Sequence, residues 1–284
     1  MKRVVAVLIL LALSLSLVLT AGEKFRYKFE KGKTYRYEVT TDSRTSGSMG
    51  GMEFTADSKL SFVTAMVSQG MTSEGLELIA TLERATAMIN VPMMGLRDST
   101  MELSDYVGKR VRLVVSDRGK LVSFTTIDTV VAGRMSMMLG GAPTELLKRL
   151  LVTLPDAPLE ANGAWKENTP DTTKNGGVTM VIRPNIDFQA VGKETKGAHE
   201  AWKITVNGVS AMEGAGTARG MDVTVDGSTK IAGTLHFAPK AGLLVEYDAT
   251  TDSEVTQTFS GAQSGAQLMT TTSKNVIKLL NPWS

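Results

Sequence analysis

Cysteine is absent from all 284 residues, and histidine occurs only twice, at His199 and His236. Without cysteine there is no disulfide framework, so the fold must rest on burial. There is also no lipobox, and hence no lipid-modified N-terminus. Aromatic residues make up 6% of the chain, few for the two interfacial girdles of an outer-membrane barrel. Charge of one sign is lacking as well: 31 basic residues face 29 acidic ones, interspersed singly. A nucleic-acid binder that tracks phosphates shows a basic face, so nucleic acid is not an expected partner.

What is present begins with "MKRVVAVLILLALSLSLVLTAGEKF". Lys2 and Arg3 precede an apolar core from Val4 to Leu19, and Thr20-Ala21-Gly22 supply small residues ahead of Glu23. That is the pattern of a secretory signal peptide over residues 1–22. The core is shorter than the ~20 residues of a spanning helix, so cleavage is expected, with retention as an N-terminal membrane anchor as the alternative. A cleaved chain would be formally neutral, with 29 residues of each sign, and would carry no transmembrane segment. The expected location is periplasmic or extracellular.

The rest of the sequence alternates with the period of β-strands. Tyr35, Tyr37 and Val39 share one face. Met52, Phe54, Ala56, Ser58, Leu60, Phe62, Thr64 and Met66 share another, against Glu53, Thr55, Asp57, Lys59 and Ser61. Leu76, Leu78, Ala80 and Leu82 continue the pattern after a turn at Gln69–Gly75. Antiparallel sheets with one wet face give this signature. Asn207-Gly208 and Asp226-Gly227 suit two-residue hairpin turns, and "LHFAPKAGLLVEY" suits a longer one. A loose internal repeat, Val111–Phe124 against Gly233–Tyr247, suggests duplication.

Between the two β halves lies "GRMSMMLGGAPTELLKRLLVTLPDAPLEANGAW". Asp128 or Thr129 can cap a helix bearing Val130, Val131, Met135, Met138 and Leu139. Gly140-Gly141 break it, Pro143 suits a first helical turn, and Leu146, Leu147, Leu150, Leu151 and Leu154 form an apolar stripe. Pro155 ends the second helix. This helical hairpin has two candidate roles. It closes a core between sheets, or it covers a cavity for an acyl chain or other apolar ligand.

Recognisable chemistry is sparse. No G-x-S-x-G elbow occurs, so a hydrolase would lack its usual motif. Gly214, Gly216 and Gly220 are spaced one residue too far apart for a dinucleotide fingerprint and precede a strand. Asp222, Asp226 and Gly227 begin like a calcium loop, but Gly233 stands where a bidentate glutamate is required. No cofactor, metal site or catalytic residue is therefore assigned. Methionine is abundant, with sixteen residues, eleven of them between Met49 and Met138. Soft thioethers can hold Cu(I), yet no His or Cys accompanies them. Core packing or an adaptable apolar surface explains them better.

The segments "LPDAPLEANGAW" (154–165) and "KGKTYRYE" (31–38) resemble an uncharacterised family of exported bacterial β-rich proteins. More distantly, the architecture is similar to the lipoprotein-carrier half-barrels of bacterial envelopes. The family carries no assigned catalytic residues, so the resemblance implies none here.

The expected architecture is thus mainly β: two curved antiparallel sheets, of duplicated origin, with a central helical hairpin. Residues 23–127 would form the first half, 128–158 the hairpin and linker, and 159–284 the second half. An apolar ligand such as a lipid would lie among Met66, Leu78, Leu113, Met135, Met138, Leu146, Leu147, Leu150 and Leu151. The alternatives are a structural or protein-interaction module with a filled core, whose partners would be envelope proteins, and a hydrolase without a motif.

Overall fold

A computed structural model describes residues 22–49, 52–129, 143–175, 177–218, 220–260 and 264–280. Its strands are β1 (Thr34–Met49), β2 (Met52–Met71), β3 (Leu76–Val91), β4 (Leu96–Glu102), β5 (Arg110–Val115) and β6 (Leu121–Thr126). After a single helical turn, α1 (Pro143–Leu146), come β7 (Ala164–Glu167), β8 (Asp171–Asn175), β9 (Val178–Lys196) and β10 (His199–Ala218). The last three are β11 (Met221–Ala238), β12 (Leu243–Ser260) and β13 (Gly265–Leu280).

All thirteen strands belong to one antiparallel sheet, which corrects the expectation of two. The order is β6-β5-β3-β2-β1-β13-β12-β11-β10-β9-β7, with β4 beside β3 and β8 beside β9. The chain starts in the middle of the sheet and walks out to β6. It then crosses to the opposite edge and walks back until β13 meets β1. The two halves merge because β1 and β13 pair along their length, from Arg36 opposite Leu280 to Gly47 opposite Met269. Among the described residues, no strand pairing joins the free edges, so the sheet is open. The hairpins singled out as a repeat sit differently: β5–β6 forms an edge and β11–β12 lies in the interior.

This path explains the non-β insert: it carries the chain from one edge of the sheet to the other. The expected helical hairpin is not seen. Its first helix falls largely on residues 130–142, outside the described residues. In place of the second there are α1, a 3-10 turn at Leu147–Arg149 and extended chain. The cause is tertiary competition for backbone groups. Val152 N–H donates to Tyr27 Oη, which donates back to Val152 O, both at 3.1 Å. Trp165 Nε1 donates to Thr153 O at 3.2 Å, and Arg118 Nε donates to Leu154 O at 2.7 Å. These groups are thereby withdrawn from helical hydrogen bonding. Asp128, an expected helix cap, instead binds Arg110.

The core gathers at one end of the sheet, here called the base. Phe25, Tyr27 and Phe29 run across it, extended but outside the sheet, with the Phe25 and Phe237 rings stacked at 5.4 Å. Leu147, Leu150, Leu154 and Leu159 close the same core from the insert. Arg26 anchors the crossing, with Nε 3.0 Å from Asp117 and Nη1 donating to Pro155 O at 2.7 Å.

Asn207-Gly208 and Asp226-Gly227 are not turns. Both pairs lie inside long strands, with Gly208 opposite Ile231 and Ile186, and Gly227 opposite Val255. A Cβ on Gly208 would collide with the Asn185 carbonyl of the next strand, and one on Gly216 with that of Gly177. Glycine here permits close backbone approach rather than chain reversal.

Candidate functional site

Eight strands, β1–β3 and β9–β13, are 16 to 20 residues long. They extend well beyond the base core, which covers only part of the inner face. The inner positions of the remaining part follow from strict alternation. On β1 they are Thr41, Ser43, Thr45 and Gly47, and on β13 they are Gln267, Met269, Thr271, Ser273 and Asn275. β12 contributes Thr251, Ser253, Val255, Gln257 and Phe259, and β11 contributes Val223, Val225, Gly227, Thr229 and Ile231. β9 adds Val178, Met180, Ile182, Pro184 and Ile186; β10 adds Gly208, Ser210, Met212, Gly214 and Gly216. Phe54, Ala56 and Ser58 of β2, Ala87, Ile89 and Val91 of β3, and Leu96, Ser99 and Met101 of β4 complete the surface.

None of these positions carries an ionisable group. On the same stretch of the eight long strands the charges fall on the opposite face, where Arg44 meets Asp57, Lys59 meets Asp42, Lys274 meets Asp248 and Arg183 meets Glu213. Only at the β9 edge do Glu167 and Asp171 of the short strands β7 and β8 share the inner face. Apart from Val178, Val223, Val225 and the β3 residues, which are buried, most of the inner side chains are half-buried.

The surface curls toward its neutral side. Val178 of β9 joins Val223 and Val225 of β11 in one buried cluster, across β10. The intervening position opposite both Val178 and Val223 is Gly216. A side chain there would hold the two strands' valines apart. The result is a neutral trough above the base core. At ~3.3 Å per residue, the stretch of β11 from Met221 to Gly233 spans roughly 40 Å and that of β1 from Thr41 to Gly47 roughly 20 Å.

Two textures divide this trough. A central hydroxyl stripe follows the seam of β1 and β13. Thr41 Oγ1 donates to Asn275 Oδ1 at 3.0 Å, and the Ser43–Ser273 and Thr45–Thr271 hydroxyls pair at 2.8 and 2.9 Å. Thr229 and Ser253 pair at 3.0 Å between β11 and β12. Apolar walls flank the stripe, with Met180, Ile182 and Ile186 on one side and Ile89, Leu96 and Met101 on the other.

The residues expected to bind a ligand separate into three groups. Met66, Leu78, Leu113, Leu147 and Leu150 are buried together in the base core, and Leu151 packs against them half-buried. Leu146 points away and is 39% exposed. Met135 and Met138 lie outside the described residues. The trough positions of β9–β13 were not among the expected lining, although the alternation in "VTMVIRPNIDF" carries their signal. Two depressions, of about 590 and 460 Å³, lie on the charged side of the sheet, away from Leu147 and Leu150.

Neither histidine lies in the trough. His236 Nε2 is 2.7 Å from Glu194 Oε1, on the charged face near the base, and the ring is almost fully buried. Among the described residues, no hydrogen bond connects this pair to a hydroxyl. No helix among the described residues is long and apolar enough to cross a membrane.

No protein-family model matches the sequence. No curated protein matches it. Among solved structures, lipovitellin aligns over 89% of this chain at 12% identity with a TM-score of 0.46. This chain spans about a quarter, 26%, of that lipovitellin chain. An outer membrane channel from Pseudomonas putida F1 aligns over 90% of this chain and 98% of its own, at 9% identity and a TM-score of 0.26. A protein from Bacteroides fragilis NCTC 9343, described as exported and with a YmcC-like fold, aligns over 90% of this chain and 99% of its own, at 13% identity and a TM-score of 0.22. Likenesses of this size assign no function. The resemblance to exported β-rich proteins rests on its short motifs.

Proposed function

We propose that this is an exported, non-catalytic carrier that holds an apolar ligand such as a lipid in the neutral trough. The observation that carries the proposal is the segregation of charge. Eight long strands place every ionisable side chain of this region on one face and none on the other. A solvated sheet face without a partner would be expected to carry charges on both sides, since an exposed neutral surface of this extent is unusual on a monomer. Curvature supports the same reading, because it gives an elongated molecule walls as well as a floor. Met66, Leu78, Leu113, Leu147 and Leu150 then form the block against which the ligand ends.

Export rests on the basic head, apolar core and small residues of positions 1–22. A structural role has one specific observation in its favour. The insert closes a packed core, as a purely architectural element would. That reading accounts for the base and leaves the neutral trough without a purpose.

The test is to secrete the chain, purify it without detergent, and compare native mass spectra with organic extracts. A stoichiometric hydrophobe supports the carrier. A ligand-free monomer that also fails to take up hydrophobic probes overturns it, and a specific protein complex occluding the trough favours the interaction module.

A further inference from the structure

Resting on the carrier reading, we propose that the trough selects an uncharged acyl ester, in the chemical class of the acylglycerols, over a free fatty acid or a phospholipid. The argument starts from what a buried charge requires. A carboxylate or phosphate moved out of water needs a counter-charge or several hydrogen-bond donors, and otherwise costs several kcal/mol. The trough positions of the eight long strands offer no lysine, arginine or histidine. Lys193, in register with Trp202 on the same face, lies down at the base, where it pairs with Glu23. Acidic residues do border the trough. Glu167 on β7 stands in register with Ile186, and Asp171 on β8 with Ile182. An anion would meet negative charge at that edge and no positive charge within.

The hydroxyl stripe supplies the complementary preference. Each hydroxyl has one donor and two acceptor sites. The Ser43–Ser273 and Thr45–Thr271 pairs use one donor each, which leaves the second hydroxyl proton of each pair free to turn toward a ligand. Neutral ester carbonyls accept such bonds without needing a charge. Apolar walls on both sides of the stripe fit a molecule with a weakly polar middle and more than one hydrocarbon arm. A single-chain soap has neither property.

The experiment measures binding of one fluorescent fatty acid in two forms, free acid and methyl ester, to the full secreted chain at neutral pH. The expected result is an ester affinity at least about tenfold above that of the acid, equivalent to about 1.4 kcal/mol. Ser210→Lys, which puts a cation on a half-buried inner position of β10, should narrow or reverse that preference. Equal affinities for the two forms, or a tighter acid, would overturn the selectivity while leaving the carrier intact. Binding of neither form would overturn both, because the selectivity has no meaning without the site. A preference for the ester that Ser210→Lys leaves untouched would also count against it, since the missing counter-charge would then not be the cause.

Discussion

Ser43 and Ser273 face each other across the junction of the first and last long strands, with their hydroxyl oxygens 2.8 Å apart. They come from positions 230 residues apart in the chain, and they sit where an open sheet would otherwise have two free edges. Cross-strand hydroxyl pairs contribute roughly 0.2–1 kcal/mol each. A double-mutant cycle of Ser43→Ala and Ser273→Ala, followed by urea unfolding, should give a coupling energy in that range. A coupling indistinguishable from zero would mean that the pair contributes nothing to the seam.

Two buried tyrosines should respond in opposite directions to loss of their hydroxyls. Tyr37 is fully buried, and its Oη has no hydrogen-bond partner among the described residues. Burial, reinforced by Tyr27 and Tyr35, pushes this phenol well up. Leaving such a group unpaired costs about 1–3 kcal/mol, so Tyr37→Phe should stabilise the protein by about 1 kcal/mol. Tyr27 instead serves both backbone groups of Val152, and Tyr27→Phe should destabilise by about 1–2 kcal/mol. Thermal melts of the two variants check both signs.

Asp128 should titrate at unusually low pH. The Arg110 guanidinium forks onto its carboxylate at 2.9 and 3.0 Å, and the Arg110 backbone N–H adds a third bond. That side-chain hydrogen bonding holds the carboxyl down at about 2. Because the folded state lowers this pKa, the contribution to stability is complete above the ordinary aspartate value, ~3.9. It is lost as pH falls through about 2. An NMR titration should find the low midpoint, and Arg110→Met should return it to the ordinary range.

Leu150 distinguishes a core from a lid. The side chain is 2% exposed within the base cluster. Leu150→Ala should destabilise by about 2–5 kcal/mol through the cavity it leaves. The folded fraction should still bind a hydrophobic probe, because the trough lies above this core. Loss of probe binding at unchanged stability would make Leu150 part of the ligand site itself.

Much of the fold can be read in the sequence, and the exceptions have specific physical causes. Alternation from Met52 to Met66 correctly places these residues on the inner face of β2, because period two is imposed by backbone geometry. Gly208 and Gly227 mislead, since glycine beside Asn or Asp serves a turn and a close strand approach equally well. The leucine stripe from Leu146 to Leu154 has helical spacing, but Tyr27, Trp165 and Arg118 claim the backbone groups that a helix would need. Tyr27 and Arg118 lie 125 and 36 residues away from the groups they bind, beyond the reach of any local pattern, and Trp165 lies 12 residues on, outside the stripe itself. The trough is hidden in the sequence for a related reason. Its apolar residues are spread over eight strands, with Gly, Ser and Thr among them. Only the register reveals that they share a face free of charge.

Thr250 and Thr251 permit the most direct test of that face. They are adjacent on β12 and chemically identical, with Thr251 half-buried on the neutral side and Thr250 exposed on the charged side. Affinity for the fluorescent methyl ester should be measured for Thr251→Glu and Thr250→Glu. The carrier account predicts a loss of at least about tenfold for Thr251→Glu and a change within about twofold for Thr250→Glu. Equal effects of the two substitutions, or a larger effect from Thr250→Glu, would contradict it.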